Sequence, residues 1–183
     1  MTLTMRRVAC ATTVLLFCIS LSCAQGPVLV NPGFEDLTDA RVPDGWQVDE
    51  GLQLLTGDDA YAGDRAVRVR YHSGLRQSID TKPGEMYLLR GWTRRPPGEP
   101  PVSGRVLVRW LDDDGAKVSG NTDFKHQAGA DWSQFTHLIA IPDGCTHIQL
   151  VVDGPYETTD WYDFDELTMT RTSRLASIAP QTI

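Results

Sequence analysis

Val67-Arg-Val-Arg-Tyr-His72 alternates apolar with polar side chains, and Leu75-Arg-Gln-Ser-Ile79 follows after only two intervening residues. A period of two puts successive side chains on opposite faces, the mark of a strand with one face on a core. The same pattern extends outward. Tyr87, Leu89, Gly91 and Thr93 alternate with Leu88, Arg90, Trp92 and Arg94. Val106, Val108 and Trp110 alternate with Arg105, Leu107 and Arg109 and stop at Asp112-Asp113-Asp114-Gly115. Phe135–Ile141 is apolar on both faces and ends at Pro142-Asp143-Gly144. Ile148, Leu150 and Val152 alternate with His147, Gln149 and Val151, a last strand runs about Tyr162–Thr170, and Leu29–Val30 begins an edge segment ended by Asn31-Pro32-Gly33. Nothing reads as a helix. Eight or more strands with Gly and Pro turns specify an all-β chain, an antiparallel sandwich or barrel. Pro96, Pro97, Pro100 and Pro101 make a stiff exposed excursion between two strands. No internal repeat or second domain is visible.

The chain has 183 residues, 17 of them Lys or Arg and 24 Asp or Glu, for a net charge of −7. Met1–Arg7 is a basic start, Val8–Leu21 is apolar, and Ser22-Cys23-Ala24 offers small residues for cleavage. That is a secretory signal over 1–24, too short in its apolar run for a spanning helix. A rival reading cleaves before Cys23 and lipidates it, the one route to a membrane; Ser20 stands where such signals carry leucine. The signal holds two arginines and no acid, so removing it leaves 15 basic and 24 acidic residues, a net −9. Nucleic acid is disfavoured as a partner. The expected protein is secreted, extracellular or periplasmic, and monomeric, with one domain over 25–172 and a frayed tail over 173–183. Cys10 and Cys18 lie within the signal and Cys23 leaves with it, so Cys145 stands alone and reads as a partly buried structural thiol.

Catalytic motifs are missing. His72, His126, His137 and His147 show no metal spacing, and no nucleophile elbow or P-loop is present. Asp163 and Asp165 share one strand face, which leaves an unrecognised polysaccharide-degrading enzyme as a third reading. Asp112-Asp113-Asp114-Gly115 lacks the continuing ligands of an EF-hand and reads as a hairpin turn.

Seven pieces stand in a telling order: Asn31-Pro-Gly-Phe-Glu35; Pro43-Asp-Gly-Trp46; Ala62-Gly-Asp-Arg-Ala66; Pro83-Gly-Glu-Met-Tyr87 with Trp92; Trp132 before Phe135; Pro142-Asp-Gly144; and Phe164-Asp-Glu-Leu167. The chain from about Val28 to Arg171 resembles the jelly-roll carbohydrate-binding modules of families four, nine and twenty-two, within the galactose-binding-like superfold. The resemblance implies a β-sandwich and, by analogy, a carbohydrate ligand. It also implies a structural calcium joining Glu35, the Ala62–Asp64 loop (with Asp64) and Asp165, since calcium takes six to eight oxygens. Trp46 and Trp132, in motif positions, are expected to plug the core.

Sugars expose flat C–H faces and hydroxyls, which aromatic platforms and planar polar groups meet. Trp110 shares parity with Val106 and faces the core. Trp92 has the opposite parity to Tyr87 and Leu89, so it stands outward between Arg90 and Arg94 as the leading platform unless a loop covers it. Trp161, Tyr156 and Tyr61 lie in loops at the rim, and Arg109, His147 and Gln149 face outward. The charge is unevenly placed: net −7 over 25–63, +6 over 64–109 and −8 over 110–183. The basic block is mostly arginine, whose planar fork suits carboxylate or sulfate, so an anionic polysaccharide is one ligand expected. The bland alternative pairs these arginines with neighbouring acids. The expected function is a secreted, non-catalytic polysaccharide-binding domain; the alternative is a structural or adhesive domain that contacts protein at a cell surface.

Overall fold

The computed structural model describes residues 28–100 and 103–172. The signal with Cys23, the tail, and Pro101 lie outside the described residues. Among the described residues nine strands form: β1 Leu52–Thr56, β2 Arg65–Arg70, β3 Leu75–Asp80, β4 Met86–Arg94, β5 Ser103–Leu111, β6 Thr122–Gln127, β7 Ser133–Ala140, β8 His147–Asp153 and β9 Trp161–Thr172. They build two antiparallel sheets, one ordered β1-β2-β9-β4-β7 and the other β3-β8-β5-β6. The result is an antiparallel β-sandwich, one of the two forms the alternation allows, with the jelly-roll arrangement that the resemblance implies.

The inward faces meet in one apolar core. Val67, Val69, Leu89, Phe164 and Met169 come from the five-stranded sheet, and Leu75, Val106, Val108, Ile148 and Leu150 from the four-stranded one. Trp46 and Trp110 lie in this core, as their motif and parity required. Cys145 is fully buried, its Sγ 3.1 Å from the His147 carbonyl oxygen. The sheets pack closely because Gly104 has no side chain. A Cβ there would collide with the Tyr162 ring, whose hydroxyl accepts from the Ala128 N–H at 3.2 Å.

Two expectations change, and the last strand carries a feature that alternation does not show. Leu29–Val30 is not a strand. The Gln77 side chain takes the place of a ladder neighbour: its Oε1 accepts from the Val30 N–H at 2.8 Å, and its Nε2 donates to the Val30 carbonyl at 3.0 Å. Trp132 is half-buried and outside the core, because it precedes β7 and rests against Tyr61 and Arg94 at the sheet's end. The last strand is not regular. Arg90 pairs with Thr168 but Trp92 pairs with Asp165, so β9 carries one extra residue, and Glu166 adopts a left-handed φ of 48°. This bulge lets Asp163 and Asp165 face outward while Leu167 and Met169 still reach the core.

The sandwich edge between β6 and β7 is closed by imidazoles. His126 stacks on Phe135 with ring centroids 4.3 Å apart and planes 1° from parallel. His126 Nδ1 lies 3.4 Å from His137 Nε2, and His137 stacks on Phe124. Burial pushes the His126 pKa down to about 3, with the neighbouring His137 adding to it, and burial lowers His137 as well. An unfolded imidazole titrates near 6.5, so below that pH the unfolded chain binds protons that the folded chain refuses. Stability therefore falls as pH drops from about 6.5 towards 3, by up to about 1.4 kcal/mol per pH unit for His126. Denaturant midpoints measured between pH 6.5 and 5 should show this slope. His126→Phe, which keeps the stack, should flatten it; an unchanged slope would refute the assignment.

Candidate functional site

The sequence-marked residues divide between two opposite surfaces. On the outer face of the four-stranded sheet, Arg105 pairs with Asp153 in register and Arg109 with Gln149. Between these rows lie Leu107 and Val151, which point outward by parity yet are buried. Taller neighbours shelter them, so the face has an apolar floor between polar walls.

At one end Arg105 is held between two tyrosines. Its guanidinium carbon lies 5.1 Å from the Tyr71 ring centroid and 5.2 Å from that of Tyr156, and the two rings meet edge-on at 5.2 Å. Arg105 Nη2 donates to Asp153 at 2.8 Å, and Nη1 reaches Asp123 at 3.4 Å. Arg105 Nε is buried without a hydrogen-bond partner among the described residues. Ser103, Arg105, Lys125, Pro155, Tyr156 and Thr158 line an open pocket of about 190 Å³ there. Tyr156 is 55% exposed.

Tyr71 continues the alternation of Val67 and Val69 in the sequence but not in space. The chain instead turns after Arg70, with Ser73 N–H on the Arg70 carbonyl and His72 at φ 67°. Glu157, just after Tyr156, is also left-handed at φ 56°. Such conformations cost a non-glycine residue free energy, so both tyrosines are held by turns that the surrounding fold enforces. Neither turn carries the glycine that would have announced it.

At the other end Arg109 Nη1 donates to Gln149 Oε1 at 2.8 Å, as outward parity required. Arg76 meets Asp49 at 2.6 Å and holds its carboxyl below the usual range. His147 lies 3.3 Å from Asp80.

Arg90, Trp92, Arg94 and Trp161 occupy the outer face of the five-stranded sheet instead. Trp92 faces outward but is not an open platform. Tyr61 stacks on it with centroids 3.9 Å apart and planes 16° from parallel, and Trp132 meets Tyr61 edge-on at 6.1 Å. The covering loop is the one before β2, not the proline excursion. Trp161 opens β9 with the Arg70 guanidinium 5.4 Å from its ring. Arg94 lies 4.8 Å from the Trp132 ring and is bound by acids: Nε to Asp163 at 2.8 Å and Nη2 to Asp59 at 3.0 Å. Arg68 holds the same Asp163 through Nε at 2.6 Å and Nη2 at 3.0 Å. The arginines of this block thus mostly answer neighbouring acids. Asp163 is fully buried, and both of its oxygens are engaged by arginines in a clamp across three strands.

Glu35 and Asp165 converge on one loop. Glu35 Oε1 accepts from the N–H groups of Asp64 and Arg65 at 3.0 and 3.1 Å. Asp165 Oδ2 accepts from those of Tyr61 and Ala62 at 2.9 and 3.1 Å, and its Oδ1 from that of Glu166 at 2.7 Å. Burial raises the Asp165 pKa to about 6, against the lowering effect of these bonds. Asp64 is exposed and donates to Glu35 through its backbone N–H. Among the described residues no group of three or more His, Cys, Asp or Glu is placed to hold a metal. Two carboxylates on either side of one loop fit a calcium if the loop's carbonyl oxygens supply most of the shell.

No family and no curated protein matches the sequence. Solved structures match the fold. A family 22 xylan-binding domain from Paenibacillus barcinonensis aligns at TM-score 0.62 and 17% identity, over 81% of this chain and 96% of that one. A family 22 module from Clostridium thermocellum aligns at 0.56 and 16%, over 75% and 89%. A family 61 module solved with β-1,4-galactotriose aligns at 0.50 and 18%, over 81% and 100%. These likenesses establish the jelly-roll fold that carbohydrate-binding modules share.

Removing the buried clamp should leave Arg68 without its acid and Arg94 with the exposed Asp59 alone among the described residues. Asp163→Asn is expected to cost about 3 kcal/mol, since losing one partner of a buried ion pair strands the other. Equilibrium denaturation would measure it, and a loss under about 1 kcal/mol would contradict the clamp.

Proposed function

We propose that this is a secreted, monomeric, non-catalytic domain that binds a polysaccharide in the groove on the outer face of the four-stranded sheet. The observation that carries the reading is Arg105 held between Tyr71 and Tyr156 beside Asp153. The half-exposed Tyr156 offers a flat face for a sugar ring to stack on, and the guanidinium and carboxylate offer fixed donors and acceptors for hydroxyls. The similar modules include one described as xylan-binding and one solved with a galactotriose, which supports the ligand class. A neutral chain suits this groove better than an anionic one. Arg105 is answered by Asp153 and Asp123, Arg76 by Asp49, and His147 sits beside Asp80. An acidic polymer would bring further negative charge against those carboxylates. The commitment of Asp163 to two arginines, and of Asp165 to three N–H groups, supports binding without cleavage.

Affinity electrophoresis in gels containing neutral xylan, galactan or glucan should retard the protein. Tyr156→Ala should weaken binding by about tenfold or more with an unchanged melting temperature, because the lost contact is a surface aromatic one. No retardation by any of these polymers would favour the adhesive, protein-contacting reading of the same fold.

We also propose a structural calcium at Glu35 and Asp165, completed by carbonyl oxygens of the loop they share. It would neutralise a buried carboxylate and tie the chain's first described segment to β9. Added calcium should raise the melting temperature and chelator should lower it, since a ligand bound only by the folded state stabilises it. Identical melting in calcium and in chelator would refute this site.

A further inference from the structure

We propose a second glycan site, on the outer face of the five-stranded sheet, that takes an acidic sugar residue on the Tyr61–Trp92 stack beside Arg90. It stands apart from the groove on the opposite sheet and does not depend on it.

Three observations point there. First, Tyr61 is 40% exposed although Trp92 covers one of its faces and Trp132 an edge. What remains open is a flat aromatic surface backed by a second ring. That surface is rigid, because Asp165 holds the Tyr61 and Ala62 N–H groups. A preformed platform loses little entropy when a ring stacks on it.

Second, among the described residues most cations of this face are engaged by an acid or a ring. Arg68 and Arg94 bind Asp163, Arg94 also binds Asp59, and Arg70 lies over Trp161. Arg90 is exposed, and its side chain makes no ion pair or hydrogen bond among the described residues. It stands two residues before Trp92 on the same side of β4, about 7 Å along the strand. An aromatic platform with one free guanidinium beside it complements a ring that carries a carboxylate, through bidentate charge-assisted hydrogen bonds.

Third, the neighbouring positions are polar and open. Gln134 pairs with Trp92 and Thr136 with Arg90 across the β4–β7 ladder, and both are exposed. An amide and a hydroxyl there serve the hydroxyls of the same sugar. The arginine-rich middle of the sequence thus retains one place for an acidic glycan after its internal ion pairs are counted. That place is not the groove, and the domain would hold two chains at once, one on each sheet.

The test uses titration calorimetry with tetragalacturonate and with its carboxyl-reduced, uncharged counterpart, on the folded domain carrying Tyr156→Ala to disable the groove. Binding of the uronate, but about tenfold weaker binding of the reduced oligomer, is expected. Adding Arg90→Gln should lower uronate affinity about tenfold, to the level of the reduced oligomer, with melting unchanged because Arg90 is exposed. Tyr61→Ala should weaken both oligomers. In the otherwise native domain, Arg90→Gln should leave neutral xylan binding as it was. Equal uronate affinity with and without Arg90→Gln, or no uronate binding once Tyr156 is replaced, overturns the second site. Loss of neutral xylan binding in the native domain, with the Arg90-dependent uronate binding intact, would overturn the groove and leave this site standing.

Discussion

Asp163 holds the centre of the five-stranded sheet. It sits on β9, between β2 and β4, and draws a guanidinium from each. Burying a carboxylate is costly unless charge and hydrogen bonds compensate it, and here two arginines do so on three strands at once. The clamp sets which groups remain for other work. It engages Arg68 and Arg94, whereas the Arg90 side chain makes no ion pair or hydrogen bond among the described residues. Two residues on, Asp165 holds the loop that places Tyr61 over Trp92.

The other sheet uses the same device for a different end. Arg105 is also answered by acids, Asp153 and Asp123, but its flat faces lie against Tyr71 and Tyr156. Ion pairing fixes the guanidinium, and the fixed guanidinium orders two rings that short loops would otherwise leave loose. On one sheet the pairing ties three strands together, and on the other it orders the side chains of the face proposed to bind glycan.

Much of the fold was legible because strand alternation is a local signal. β2, β3, β4, β5 and β8 lie where their periodicity put them, and Trp46 and Trp110 lie in the core. β1 and β6 left no such trace. Leu52-Gln-Leu-Leu-Thr56 does not alternate cleanly, and Thr122-Asp-Phe-Lys-His-Gln127 is largely polar. Each is an outer strand fixed by hydrogen bonds to one neighbour, so little apolar patterning is required of it. The bulge at Glu166 was invisible for a similar reason, since one extra residue shows only in the pairing with β4.

The candidate site was harder to read. Outward parity correctly marked Trp92, Arg90, Arg94, Arg109 and Gln149, but parity does not say which sheet an outward residue belongs to. The sequence by itself determined an all-β chain, its turns, the inward and outward rows of most strands and the surplus of arginine in the middle. Those follow from backbone periodicity and composition. The tertiary structure alone decided that Tyr71 and Tyr156, 85 positions apart, flank one arginine. It alone decided that Tyr61 covers Trp92 and that Asp163 consumes two of the arginines. These are contacts between segments distant in the chain, and they depend on strand order and loop placement, which no local pattern encodes.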